Sequence, residues 1–308
     1  MSRRNIVLVL AWMAGALVCF SATAIAVRLL AGRLGGFEIL AVRNSGGLLI
    51  LLAALAIRPG LRTRLRPGPI RLHVLRNAFH YAGQYGWNHA VVVLPLATVF
   101  ALEFTAPVWL AALAVPILGE KLTWPRVGAI ILGFGGVLII LRPGQEAFQP
   151  AALIMLAAAI GFAATAVWTK ALTREVSTFT ILFWMNVLQL PLSLLGSDLG
   201  FPARMEGAQI LGALLLSVTG VASHLCLTQA YRYGDALVVM PLDFMRIPMI
   251  AMIGWYFYGE ALDPFVFAGA VLIIGGIVWN LSAEARRTAP AALVSVSSSR
   301  TPGSAPGS

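Results

Sequence analysis

Long apolar runs, cut by short clusters of Gly, Pro and Arg, fill this chain almost to its end. A membrane-spanning helix needs about 20 apolar residues. By that measure the runs predict ten spans, at roughly 6–28, 38–57, 74–93, 96–118, 125–141, 150–171, 177–196, 208–230, 236–258 and 264–282. Breakers mark the connections: Gly35-Gly36, Arg58-Pro59-Gly60, Pro67-Gly68-Pro69, Pro95 and Arg142-Pro143-Gly144. From residue 283 the composition shifts to Ser, Pro, Ala and Gly, which predicts a disordered tail over 283–308.

The polar positions repeat. A slide of 140 places Leu102-Glu103-Phe104 on Leu242-Asp243-Phe244, Gly119-Glu120 on Gly259-Glu260, and Gly135-Gly136 on Gly275-Gly276. Nearer the start a slide of 142 places Phe20, Thr23 and Arg28 on Phe162, Thr165 and Lys170, and Asn44 on Asn186. The chain therefore divides into a first five-helix repeat, 1–141, and a second, 150–282. Five spans per repeat is an odd number, so the second must cross the membrane inverted. The predicted fold is an all-α integral membrane protein of ten transmembrane helices in two inverted five-helix repeats. Such a duplication supplies two mirror-related states for alternating access.

Composition agrees. Apolar residues make up 59% of the 308, charged residues 11%, and mean hydropathy is +0.86. A soluble domain carries about 25% charged residues. The net charge of +10 would suit a nucleic-acid partner, but its placement does not. Arg58, Arg62, Arg64, Arg66, Arg71 and Arg76 crowd one stretch with no acid among them. That is a positive-inside signal. It puts this stretch and both termini in the cytoplasm, with the chain in the plasma membrane, the inner membrane of a bacterium. Met1 to Ala26 has the look of a signal peptide, yet the run belongs to the repeat and is read as a retained helix. Cys19 and Cys226 lie inside apolar runs with no metal-ligand spacing, and read as packing residues.

The third span carries the densest polar chemistry. His80, Gln84 and Asn88 share one line of the helix, and Tyr81, Tyr85 and His89 the adjacent one. Such a face turns away from lipid. It predicts a cavity wall for an aromatic or amino-acid-like small molecule, or else a polar seam between helices. Trp87 falls off this face. Glu103 and Asp243 sit at equivalent depths, and each needs a partner, a proton or water there. Arg246 lies one turn from Asp243. Ala106 stands at the matching place near Glu103, so Glu103 is the candidate proton-binding group. Arg43 is a candidate partner for either acid. Together Glu103, Asp243, Arg246 and Arg43 form the predicted coupling or gating set. Arg28 and Lys170 read as snorkelling residues. Glu120 and Glu260 read as helix N-terminal caps, the paired glycines as close helix contacts, and Pro107 and Pro248 as kinks.

These features resemble a known family. Pro107 through Gly119-Glu120-Lys121-Leu122 with Gly135-Gly136, and Pro248 through Gly259-Glu260-Ala261-Leu262 with Gly275-Gly276, are similar to EamA-type members of the drug/metabolite transporter superfamily. The stretch Pro241-Leu242-Asp243-Phe244-Met245-Arg246 shares the likeness, which covers about residues 6–282. It implies secondary transport of a small metabolite through a central cavity, with no cofactor. The leading expectation is export of an amino-acid-like or related amphipathic compound, with protons as candidate coupling ion. The alternative is uptake of a nucleoside-like or flavin-like metabolite such as S-adenosylmethionine. A membrane sensor or scaffold is the reading of another class. No zinc motif, nucleophile elbow or catalytic triad supports an enzyme.

Overall fold

The computed structural model describes residues 3–110, 123–142, 149–172, 175–233, 242–243 and 245–297. These residues form ten α-helices: α1 (Arg3–Ala31), α2 (Gly36–Ile57), α3 (Ile70–Val93), α4 (Leu96–Glu103), α5 (Trp124–Leu141), α6 (Ala151–Leu172), α7 (Thr178–Leu195), α8 (Ala208–Tyr233), α9 (Arg246–Tyr258) and α10 (Pro264–Ser297). Two short 3-10 turns, Pro59–Arg64 and Phe201–Arg204, lie in connections. No strand occurs among the described residues.

Five stretches have the length and apolarity to cross a membrane: Val7–Ala31, Gly36–Ile57, Ala151–Thr169, Thr178–Leu195 and Ala208–Leu227. Leu96–Leu110, Val127–Leu141 and Pro264–Asn280 are shorter apolar stretches, the first of them interrupted by a turn. The 24 residues of α3 are long enough, but Arg71, His73, Arg76, Asn77 and His80 make it polar.

Packing pairs the two halves with each other. The first helix of one half lies along the third of the other, as α1 on α8 and α3 on α6. Second packs on second (α2 on α7), fourth on fourth (α4 on α9) and fifth on fifth (α5 on α10). Glycines permit the close approaches. A Cβ on Gly136 would meet the Gly269 carbonyl at 2.6 Å, and one on Gly276 the Ala129 carbonyl at 3.3 Å. These contacts set α5 and α10 antiparallel. On α2, a Cβ at Gly47 would meet Asn186 Oδ1 at 2.6 Å. Gly275, by contrast, faces open space. Gly136→Val should therefore lower the melting temperature in detergent clearly, by about 1–3 kcal/mol of overpacking. Gly275→Val should barely move it, and equal shifts would show that the α5–α10 seam is looser than described.

Two expectations change. The span expected over 96–118 is not one continuous helix. α4 stops at Glu103, a turn follows at Phe104-Thr105, and helix resumes over 106–110. Pro107 has no N–H to donate to the Glu103 carbonyl, so the ladder fails there. Thr105 Oγ1 donates to the Leu102 carbonyl at 2.6 Å and Thr105 N to the same atom at 3.1 Å. In the second half α9 begins at Arg246 after a turn at Met245, with Pro248 in its first turn. Second, the tail expected to be disordered from 283 starts as helix, because α10 runs to Ser297. Ala283, Glu284, Ala285, Arg286 and Arg287 are strong helix formers and carry it on. The Gly119-Glu120 turn and Pro241 lie outside the described residues.

Candidate substrate and coupling site

The interruptions at Glu103 and Arg246 place two charges where two helices end in mid-bundle. Glu103 closes α4 and Arg246 opens α9. Each charge sits at the end its helix dipole disfavours, an anion at a C-terminus and a cation at an N-terminus. The helices do not hold them; they hold each other. Arg246 Nη1 lies 3.2 Å from Glu103 Oε1, and Nη2 donates to Asp243 Oδ1. Arg246 is buried. Its guanidinium is packed among rings, 4.1 Å from the centre of Phe20, 5.2 Å from Phe104 and 5.7 Å from Phe100. Trp87 Nε1 donates to the second oxygen of Glu103 at 2.6 Å. This is the missed residue of the third span, because a face drawn from helical spacing leaves Trp87 outside it.

A second cluster adjoins through Phe20, whose ring meets His224 edge-on at 6.0 Å. Arg43 of α2 donates through Nη1 to Gln84 Oε1, and its Nη2 lies 3.4 Å from His224 Nε2. The slide of 140 superposes Gln84 on His224, so Arg43 bridges equivalent positions of the two repeats. Gly220 opens the room it needs: a Cβ there would come 3.1 Å from Arg43 Nε. That Nε is buried without a hydrogen-bond partner. A cavity of about 10 Å³ lies beside it, lined by Leu182, Met185, Asn186, Gly220 and Val221. His80 continues the cluster, 6.2 Å ring to ring from His224 and 2.9 Å through Nδ1 from Gln189 Nε2. Gln189 also donates to Asn77 Oδ1 at 2.9 Å. Arg76 donates to the same oxygen at 3.2 Å and to Thr169 Oγ1 at 2.9 Å. Arg43 and Arg76 are both buried, and among the described residues no carboxylate pairs with either.

The third-span face thus divides. His80 and Gln84 enter the central cluster. Tyr81 and Tyr85 pack against Phe37 of α2, at 6.5 and 4.8 Å between ring centres. Tyr85, Asn88 and His89 line a recess of about 150 Å³ toward one end of the bundle, with Gly36, Ile39 and Val92. Glu103, Asp243 and Arg246 come together as one group. Arg43 joins the histidines and Gln84 instead of the acids. Asn77, Arg76, Gln189 and His224 went unselected; each is a polar residue in an apolar run, and that is the signal that marks them.

One end of the bundle is tied by three ion pairs that cross between halves. Arg28 Nη1 meets Glu260 Oε1 at 2.5 Å, Arg142 pairs with Asp263, and Arg204 with Glu38. Arg28 also donates to the carbonyls of Val91 and Leu94, both at 2.8 Å. Glu260 accepts from Leu96 N at 2.8 Å. It caps an N-terminus as expected, but that of α4 in the other half. Arg28, expected to snorkel, is a clasp between the halves.

The sequence profile of the EamA-like transporter family matches residues 7–142 and again 149–282. A riboflavin transporter of Brucella anthropi is 32% identical over 75% of this chain and 83% of its own length. An S-adenosylmethionine uptake transporter of Rickettsia conorii is 26% identical over 89% of this chain and 92% of its own. A protein of known crystal structure, 19% identical, superposes with a TM-score of 0.60 over 91% of this chain and 97% of that one. That last likeness concerns the fold.

Proposed function

Because this chain belongs to the EamA-like transporter family, we propose that it takes up a planar, uncharged or anionic, acceptor-rich metabolite of the flavin kind by alternating access. The observation that carries the substrate is the charge of the central cluster. Arg43 and Arg76 are buried with no described acid beside them, and His80 and His224 adjoin. An isoalloxazine ring is uncharged at neutral pH and offers carbonyl and imine acceptors that arginine and histidine donors match. S-adenosylmethionine carries a sulfonium cation that two uncompensated arginines repel. The riboflavin-transporting relative is also the more similar of the two in sequence. The amino-acid-like substrate expected from the third span, and the export expected from the family resemblance, find no such support. The Rickettsia relative is named for uptake.

Glu103, Arg246 and Asp243 are the coupling group in this reading. An ionised Glu103 holds Arg246, and a protonated one releases it. Interrupted helices carrying charges at their broken ends recur at the midplane sites of transporters with inverted repeats. The antiparallel seam of α5 and α10, repeat mates by position, supports the inversion. A cysteine at Ala261 should then label from outside intact cells and one at Thr123 only after the membrane is opened. Equal sidedness would remove the inversion from the proposal.

The Arg28–Glu260, Arg142–Asp263 and Arg204–Glu38 pairs act as the closed gate at the outer end. Glu260→Gln leaves Arg28 unpaired and Leu96 N with a weaker acceptor. It should cut turnover by about ten-fold, near the cost of a lost charge-assisted bond, and make a cysteine at Asn88 label faster from outside. Unchanged labelling would count against a gate.

Uptake itself is tested in proteoliposomes. Labelled riboflavin should accumulate and be displaced by unlabelled flavins, while S-adenosylmethionine should compete poorly. The reverse order of preference would overturn the substrate.

A further inference from the structure

The only cysteines of the chain, Cys19 and Cys226, fall in different halves. The contacts between α1 and α8 bring them near each other. A Cβ on Gly212 would meet Leu29 at 3.2 Å and Leu30 at 3.3 Å. Thr23 Oγ1 donates to Thr219 Oγ1 at 2.9 Å, and Met13 packs with Ala230. These three points fix an antiparallel register in which Cys226 stands opposite Gly15 and Ala16, one helical turn from Cys19. Gly15, one turn before Cys19, supplies the room. Cys226 Sγ lies only 3.1 Å from where a Gly15 Cβ would stand, so it occupies the notch that this glycine leaves. The two side chains are close enough to interact. Both are free and half-buried.

Their neighbours are the wall of the central site. Phe20 follows Cys19 and packs 4.1 Å from the Arg246 guanidinium. His224 stands two residues before Cys226 and lies 3.4 Å from Arg43. A bond between the sulfurs would tie the first half to the second directly behind the Phe20–His224 contact.

We propose that Cys19 and Cys226 form a redox-sensitive thiol pair, which a hydroperoxide oxidises to a disulfide that joins the halves and stops turnover. The functional consequence rests on the alternating-access reading above. One thiol, as its thiolate, attacks the peroxide oxygen and becomes a sulfenic acid, releasing the alcohol. The second thiol displaces water from that sulfur and forms the S–S bond. Two thiols and one hydroperoxide give one disulfide, one alcohol and one water, with two electrons passing from sulfur to oxygen. A disulfide holds its sulfurs about 2.05 Å apart and its α-carbons within about 7 Å. It therefore forbids the sliding between halves that alternating access needs at this point. A dithiol reductant reverses the bond by thiol–disulfide exchange.

The test uses the reconstituted full chain and cumene hydroperoxide, which partitions into lipid. A peptide pair linked through Cys19 and Cys226 should appear by mass spectrometry. Riboflavin flux should fall about ten-fold or more, equivalent to at least about 1.4 kcal/mol on the barrier, and return with dithiothreitol. Cys19→Ser and Cys226→Ala should transport like the parent and ignore the peroxide. The idea is overturned if no linked peptide forms, if the linked carrier keeps its flux, or if the cysteine variants are inhibited equally. The linked peptide is scored without any substrate, so its absence counts against the thiol pair alone. Absent flux in the reduced parent counts against the transport reading.

Discussion

Arg43→Gln should exchange one substrate preference for the other. In the parent, the Arg43 guanidinium places an uncompensated positive charge between Gln84 and His224. A donor of this kind to a flavin carbonyl is worth about 1.5–3 kcal/mol. Its loss should raise the KM for riboflavin by about 10- to 100-fold, since 1.4 kcal/mol is a factor of ten. The same charge repels a sulfonium cation. At about 6 Å and an effective dielectric constant of about 20, that repulsion comes to about 3 kcal/mol. Removing it should let S-adenosylmethionine compete where it did not before. Exclusion of this kind is specificity by repulsion as much as by attraction. Labelled uptake of both compounds by parent and variant decides the matter. Riboflavin falling while S-adenosylmethionine rises places Arg43 at the substrate. Equal loss of both, from protein with an unchanged melting profile, would assign it to packing between α2 and α8.

Periodicity and the repeat made the helices legible, and they also located Glu103, Asp243 and Arg246. Glu103 and Asp243 stand at equivalent depths with charges that lipid does not tolerate, so each needs a partner; that Arg246 serves both acids while Arg43 serves neither is not carried by spacing. The division of the third-span face was not legible. Helical spacing says that His80, Gln84, Tyr81 and Tyr85 share a broad face. It does not say that α2 covers the tyrosines through Phe37 and Gln84 through Arg43, while α7 and α8 meet His80. Trp87 was missed for a related reason: its ring packs at a buried position off the stripe, and only its Nε1 reaches Glu103. Arg28 and Glu260 each gave a sound local reading, as a snorkelling residue and a cap. Their pairing depends on which ends of the bundle gather together, and sequence spacing carries none of that. The break at Phe104-Thr105 was announced by Pro107 as a kink but not as a stop.

Glu103→Gln should uncouple transport from the proton gradient and leave exchange intact. The ionised carboxylate accepts from Trp87 at 2.6 Å and from Arg246 at 3.2 Å. Breaking one partner of a buried ion pair costs about 3–5 kcal/mol. Two features soften that cost here. Asp243 still holds Arg246, and a glutamine oxygen still accepts from Trp87. The variant should therefore fold, with the arrangement a protonated Glu103 would give. With Glu103 as the proposed coupling group, acid outside should load a proton onto it and free Arg246, so uptake should rise as external pH falls. In the variant that step is permanently made. Gradient-driven accumulation should drop by about ten-fold or more, one factor of ten being about 1.4 kcal/mol of lost coupling. Riboflavin counterflow between equal pH compartments should survive, because it needs no proton to be released. Trp87→Phe supplies the intermediate case. It removes one donor to the ionised form and should move the pH profile toward more alkaline values without abolishing it. An unchanged pH profile in Glu103→Gln would take this carboxylate out of the coupling step and leave Asp243 as the group to test.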